Sequence, residues 1–417
     1  MHRFHRLVWA LCWLVGVGFV LGACGYVREP AQGPVSDLVA PQPVWPSNYT
    51  NFKPLRIDIP LQLFDDKPGE PKWMLSMVGD PVGQGWISWD GNVTQPPSSH
   101  DAFVFNYSAW RSEPAAMAIA HSAERFEAMK ERGEFTLGFL RWMPTSGEPK
   151  GLVVHQWGMG GQRYEQGIVD TLRRSGWAVL AYNGFAWKPE EVRGTSLSTV
   201  PDADLSGSDD ASRRRAAERA AVLAARNLDN IVGQYAVGVE AALLHVRRRF
   251  PATADKPLVL IGCSLGSLMT PAVAMRLGDQ VRACVLVGSG VNMLALGGKR
   301  WQDGAYSSVR RGRSDAVAVP AAERKHMLDE YLRHSTLDPY NAAPALRRVP
   351  TLMLHARWDA IVPASGGRTL WERAGRPERW TGNFGHLWMF LTLDDMADDI
   401  VAWIEQTVTP PVAATGD

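Results

Sequence analysis

An α/β architecture is predicted for this chain: a doubly wound, mostly parallel sheet with helices on both faces and lid-like insertions. Two observations carry it. From residue 150 onward, short apolar runs rich in Val, Ile and Leu alternate with longer stretches of helical periodicity. Their lengths and spacing are those of strand–helix–strand units, which build parallel sheets buried on both sides.

Taken in order, "KGLVVHQW" (150–157) is a strand and "RYEQGIVDTLRRSG" (163–176) a helix closed by Gly176. "WAVLAYNGF" (177–185) is a second buried strand, and "NIVGQYAVGVEAALLHVRRRF" (230–250) a long amphipathic helix. The strand "KPLVLIGC" (256–263) precedes a helix from Leu265. "VRACVLVGSG" (281–290) and "VPTLMLHARWD" (349–359) are further strands, with helices near "GGRTLWERAG" (366–375) and over "HLWMFLTLDDMADDIVAWIEQT" (386–407). Upstream, "EFTLGFLRWMP" (134–144) reads as a strand, and 112–133 as a helix capped by Ser112, with Pro114 in its first turn and Gly133 at its close. Residues 55 to about 110 read as irregular and strand-poor.

Two stretches interrupt the rhythm, 184–228 and 291–345. The first holds a polar loop and an Ala/Arg-rich helix; the second holds the basic run Lys299 to Arg313 and the helix "PAAERKHMLDEYLRH". Both leave from the carboxyl ends of predicted strands, where open α/β sheets bind ligands, so they are candidate lid or pocket insertions. The basic run reads as a solvated loop rather than an anion site.

The 417 residues suffice for one large domain or two of ordinary size, and 44 Lys plus Arg stand against 43 acidic residues. That balance argues against nucleic acid as a partner, which calls for a basic excess. The first residues belong to no fold. "MHRFHR" is a basic segment, and the charge-free run "LVWALCWLVGVGFVLGA" ends at Cys24. An uncleaved membrane anchor and a plain secretory peptide are alternative readings. The ending "LGAC" resembles a bacterial lipobox, which implies a lipid on Cys24, removal of residues 1–23 and attachment to the cell envelope. Gly25 after that cysteine implies the outer membrane, facing the periplasm or the cell surface. The chain therefore divides into a signal peptide (1–23), a Pro-rich tether (24–54), an N-terminal extension packed on the core (55–134), a main domain (135–407) and a disordered tail (408–417). Of four cysteines only Cys263 and Cys284 fall in the main domain. They read as buried thiols, and no cluster has metal-ligand spacing, so neither metal nor cofactor is expected.

Chemistry is suggested by "LVLIGCSLGSLMT" (258–270), a strand running through Gly-x-Ser-x-Gly into a helix. A serine at the tip of such a turn is strained, and residues two before and two after must be tiny; Gly262 and Gly266 meet this. The hydroxyl needs a base, and the base a carboxylate to fix its tautomer. His386 in "GNFGHLW" and Asp359 in "LMLHARWDAIVP" both follow predicted strands. Asp338 in "STLDPYN" is the alternative acid, though Asp-Pro reads as a helix start, and His155 and His355 read as packing residues within strands.

With Gly-x-Ser-x-Gly, "HARWDAIVP" and "GNFGH" in this chain order, residues 135 to 406 resemble the α/β-hydrolase superfamily. The resemblance implies a Ser264–His386–Asp359 triad, an acyl-enzyme on Ser264 and an oxyanion hole from the backbone N–H of Leu265 and of a residue in "HQWGMGG" (155–161). Aligned on the glycine, that second residue is Met159, with Trp157 the alternative because Trp stands where the family often has His. Among 17 tryptophans, Trp157, Trp358 and Trp388 fall beside the oxyanion loop, the acid and the base, and suggest an aromatic wall for a small-molecule carboxylic ester. Acyl transfer by the same triad, and a non-catalytic envelope lipoprotein on this scaffold, are the alternatives.

Overall fold

The structure is a computed structural model and describes residues 26–34, 42–44, 74–75, 86–87, 101–107, 136–145, 147–158, 165–183, 209–309 and 318–408. Cys24, Met159, the helix expected at 112–133 and the tail beyond Val408 lie outside the described residues.

Eleven strands are described: β1 (Val27–Glu29), β2 (Met74–Leu75), β3 (Trp86–Ile87), β4 (Asp101–Tyr107), β5 (Thr136–Met143), β6 (Gly151–Gln156), β7 (Trp177–Asn183), β8 (Leu258–Cys263), β9 (Val281–Val287), β10 (Thr351–Ala356) and β11 (Glu378–Gly382). Nine of them form one sheet in the order β1-β11-β10-β9-β8-β6-β7-β5-β4. From β7 to β11 the pairing is parallel; β5, β4 and β1 are antiparallel to their neighbours. The chain runs from β6 outward to β7, then returns to the other side of β6 for β8. That reversal opens a crevice between the carboxyl ends of β6 and β8, where ligands bind in open sheets. This order, with an antiparallel strand beside β7, is an α/β-hydrolase fold.

Side chains along each central strand alternate between two cores. Leu152, Val154, Leu180, Leu258, Leu260, Cys284 and Leu286 join one cluster. Val153, Val179, Val259, Ile261, Cys263 and Val285 join the other. The period-two alternation thus selects the face, while both faces stay dry. Cys263 and Cys284 are free buried thiols on adjacent strands, projecting to opposite faces.

The second face is covered by α1 (Gln166–Arg174) and, from the C-terminal part of the chain, by helices including Met389, Phe390, Ile400 and Ile404. The first face is covered by α2 (Asp210–Arg249), α3 (Leu265–Leu277) and the helices of the second insertion: α4 (Met293–Leu296), α5 (Gly298–Val309), α6 (Ala321–His334) and α7 (Pro339–Ala342). α8 (Ala364–Arg373), α9 (His386–Leu391) and α10 (Ala397–Val408) complete the chain. Pro271 lies inside α3 and cannot donate to the Ser267 carbonyl one turn back. The Ser289 hydroxyl donates to that carbonyl instead, at 3.1 Å.

Four sequence expectations are corrected. Residues 55–110 are not strand-poor throughout: the apolar run 101–107 is β4, paired along its whole length with β5, so the main sheet draws on chain ahead of residue 135. The segment after Cys24 is not all tether. Val27–Glu29 adds to the edge of β11, held by Arg379–Glu29 at 2.6 Å and by Arg28 stacked 4.4 Å over Trp380. The Ala/Arg-rich helix of the first insertion is not separate either; it is the first half of the 40-residue α2, capped by Asp209 accepting from Ser212 N–H. Ala216, Ala217, Ala220, Ala221 and Ala224 make a narrow stripe that admits α6 closely. Finally, Lys299 to Val309 is helix α5 rather than loop, because Trp301, Ala305, Tyr306 and Val309 recur at helical spacing against the core.

Two buried carboxylates fix the second insertion. Asp229 of α2 accepts from the Ser335 hydroxyl at 2.6 Å and from the Thr336 and Leu337 amides at 2.7 and 3.0 Å. Asp338 caps α7 and accepts from the Asn292 and Met293 amides and the Tyr331 hydroxyl. Burial raises both carboxyls above their ordinary range even against these donors.

His355 of β10 is held down at about 4 from 6.5, first by burial and then by Arg379 and Arg368, with Asp359 and Glu29 opposing. A depressed histidine favours the neutral form, so the unfolded chain takes up the proton first and stability falls as pH drops from 6.5 toward 4. In denaturant titrations, the midpoint of the parent is expected to fall relative to that of His355→Gln as pH goes from about 7 to about 5.

Candidate active site

Ser264 sits between β8 and α3 with φ 47° and ψ −115°, a conformation rare for any residue but glycine. Its N–H donates to the Val287 carbonyl of β9 at 2.8 Å, and its own carbonyl accepts from Ser267 N–H at 2.9 Å. The turn is this tight because neighbouring elements crowd it. A Cβ on Gly266 would land on the Gln156 carbonyl oxygen at the end of β6, and one on Gly262 would strike Thr270 and the Ser267 backbone. Leu265 opens α3, so its N–H is among the four that a helix leaves without an intrahelical partner.

His386 is the first residue of α9, 7% exposed, with its ring 5.0 Å from that of Phe390. Its Nε2 stands 2.9 Å from Ser264 Oγ and its Nδ1 2.6 Å from Asp359 Oδ2. A proton on Nδ1, donated to the carboxylate, leaves the Nε2 lone pair facing the hydroxyl. Asp359, 8% exposed, uses its other oxygen to accept from the Ile361 and Val362 amides at 2.9 and 2.8 Å. The loops bearing the acid and the base are stitched together beyond their strands: Arg357 N–H donates to the Gly382 carbonyl at 2.9 Å and Trp358 N–H to that of Phe384 at 3.0 Å. The structure therefore brings Ser264, His386 and Asp359 into one hydrogen-bonded line. Asp338, the alternative acid, is spent on capping α7 and holding α4.

The remaining site residues lie as follows. Trp157 is partly buried against the core on the second face. Trp358 and Trp388 are 57% and 53% exposed, on the rim beside the acid and the base. Met159 and Cys24 fall outside the described residues.

Two contributors escaped the sequence reading. Gly288, at φ +63° just after β9, leaves room for the imidazole: a Cβ there would come within 3.0 Å of His386 Cε1. Its signal was "GSG" directly following a strand. Glu165, the residue before α1, is 2% exposed; its Oε1 accepts from Gly158 N–H at 3.0 Å and its Oε2 lies 3.0 Å from His155 Nε2. Gly158 itself abuts the nucleophile turn, since a Cβ on it would meet Ser264 Cβ at 2.9 Å. The buried pair thus pins the end of the β6 loop against Ser264. Cys263 completes a cluster with His155 and Glu165, among the described residues the one group of metal-ligating types close enough to share an ion. Burial, first, and then the neighbouring Glu165 carboxylate push its thiol well above the ordinary range.

No family model matches the chain. The uncharacterized protein YdjC of Bacillus subtilis (strain 168) is 30% identical over 69 residues, which are 16% of this chain; the chain spans 60% of that protein's length. Similar solved structures include an esterase domain of Rhodothermus marinus (18% identity, 67% of this chain and 95% of that one, TM-score 0.37). Others are an esterase of Pyrococcus furiosus (12%, 66% and 87%, TM-score 0.40) and a thermostable carboxyl esterase of Bacillus coagulans with glycerol (12%, 66% and 95%, TM-score 0.39).

Replacing Glu165 by Ala leaves the buried Gly158 amide without its acceptor and removes the carboxylate beside His155. Chemical denaturation is expected to register a loss of about 2–3 kcal/mol, the usual cost of orphaning buried polar groups.

Proposed function

We propose that the chain is a serine hydrolase that cleaves a carboxylic ester through an acyl-enzyme on Ser264. The observation that carries this reading is the unbroken line from Ser264 Oγ through His386 to Asp359, at 2.9 and 2.6 Å, with the serine strained at the head of a helix. A merely structural serine has no need of a buried imidazole backed by a carboxylate.

The steps follow from those contacts. As Ser264 Oγ attacks the ester carbonyl carbon, His386 Nε2 takes its proton, and Asp359 stabilises the imidazolium. The carbonyl oxygen becomes an oxyanion that the Leu265 amide would hold, with a second donor from the 155–161 stretch, Met159 by the family alignment or Trp157. Collapse breaks the carbon–oxygen bond to the alcohol, which leaves with the proton from Nε2. His386 then deprotonates a water that attacks the acyl-enzyme; the bond from the acyl carbon to Ser264 Oγ breaks, Oγ takes the proton back from Nε2, and the acid departs. An oxyanion donor of this kind contributes about 3 kcal/mol to the transition state. Gly158, pressed against Ser264, supports a donor from the residue that follows it.

The envelope location belongs to the same proposal. It is supported by the basic start, the apolar run to residue 23 and "LGAC", from which Cys24 would carry the lipid.

Ser264→Ala is expected to remove both turnover of a chromogenic acetate ester and labelling by a fluorophosphonate. Asp359→Asn should keep the fold but lower kcat by about 10⁴-fold, since the imidazole loses its tautomer control. Labelling that survives in Ser264→Ala would refute the assignment.

A further inference from the structure

Among the described residues, large apolar side chains that stand more than half exposed are few, and five of them gather on two adjoining stretches. Trp358 and Ile361 flank Asp359 in the loop after β10; Leu387, Trp388 and Leu391 follow His386 along α9. On α9 the buried residues are His386, Met389 and Phe390, so the helix presents its other side, Leu387, Trp388 and Leu391, to solvent. The backbone bond from Trp358 to Phe384 joins the two stretches into one rim beside Ser264. Exposed apolar rims mark interaction surfaces, and tryptophans suit the boundary between water and lipid.

A second observation points to what covers the rim. The chain enters the fold at the same place. The Tyr26 ring packs edge-on against Phe384, 5.1 Å between centroids, and its buried hydroxyl faces Thr392, the residue that ends α9. Cys24 is two residues, at most about 7 Å of extended chain, from Tyr26, and the apolar run ends one residue before it; Tyr26 adjoins β1, which pairs with the sheet edge. No long tether intervenes. Whether the segment is a lipidated cysteine or an uncleaved anchor, whatever it inserts into must come up against α9.

We propose that the rim of Trp358, Ile361, Leu387, Trp388 and Leu391 is a bilayer-contact surface. The short, docked N-terminus turns the face bearing His386 and Asp359 toward the membrane, and the substrate is an acyl ester dissolved in that lipid layer. The proposal rests on the hydrolase and anchor readings above and adds to them an orientation and a source of substrate.

The test uses the full chain reconstituted into phosphatidylcholine vesicles whose acyl chains are brominated. Tryptophan emission of the parent is expected to be quenched more than that of Trp358→Phe/Trp388→Phe; equal quenching overturns the orientation. In Leu387→Gln/Leu391→Gln, turnover of a long-chain ester dissolved in the vesicles should drop about tenfold, with a water-soluble acetate ester changed less than about twofold. Equal loss on both esters, or no loss on either, also overturns it. The underlying readings fail separately. A parent that does not float with vesicles defeats the anchor, and with it this orientation. A parent inert toward both esters defeats the hydrolase reading and with it the lipid-borne substrate, while the quenching difference still decides the orientation.

Discussion

An imidazole held between a carboxylate and a hydroxyl needs three loops to stop within a fraction of an ångström of one another, and loops alone seldom do. Here the parallel register supplies that accuracy. β8, β10 and β11 all end at one edge of the sheet, and the turns that follow inherit their spacing. The two backbone bonds between the Asp359 and His386 loops continue the β10–β11 pairing past the strands and so tie the acid's loop to the base's. Ser264 is fixed from the other side, its amide on β9 and its turn pressed against the end of β6 at Gly266. Strain at Ser264 is tolerable because everything around it is regular.

The helical layer on the first face is tied to the same frame. α2 spans about 60 Å as one helix, at 1.5 Å per residue. Its C-terminal part lies on the sheet while its alanine stripe carries α6, and Asp229 and Asp338 bond the connecting segments from inside. Carboxylates buried in this way are costly unless every oxygen is satisfied. Each accepts several donors from segments far apart in sequence. The second insertion is thus joined to the core by packing and by polar bonds together.

Much of this was legible in the sequence because the responsible signals are local. The strand–turn–helix around Ser264, and the placement of Asp359 and His386 after apolar strands, need only a few residues to be read. Gly262 and Gly266 announced close contacts, although the contacting groups, Thr270 and the Gln156 carbonyl, could not be named. What escaped depends on partners distant in sequence. β1 is three residues long and becomes a strand only by adding to β11, some 350 residues on. β4 was obscured by the turn signals just before it. The unity of α2 was hidden because its first half faces α6 rather than the sheet, so its periodicity is set against a different neighbour. Glu165 resembled an ordinary helix-start acid, and nothing local revealed that it would turn inward to Gly158 and His155.

The placement of β1 bears on how the molecule can be handled. An edge strand with unpaired amides and carbonyls invites the edge of another molecule, and natural sheets usually shield it. Val27–Glu29 does so for β11, while Glu29 neutralises Arg379 and Arg28 lies across Trp380. Trimming the chain to a starting point beyond residue 34, as the look of a proline-rich leader would tempt one to do, strips that shield away. The Phe384 ring beside the base would lose its cover in the same cut, inviting both self-association and a loosened imidazole.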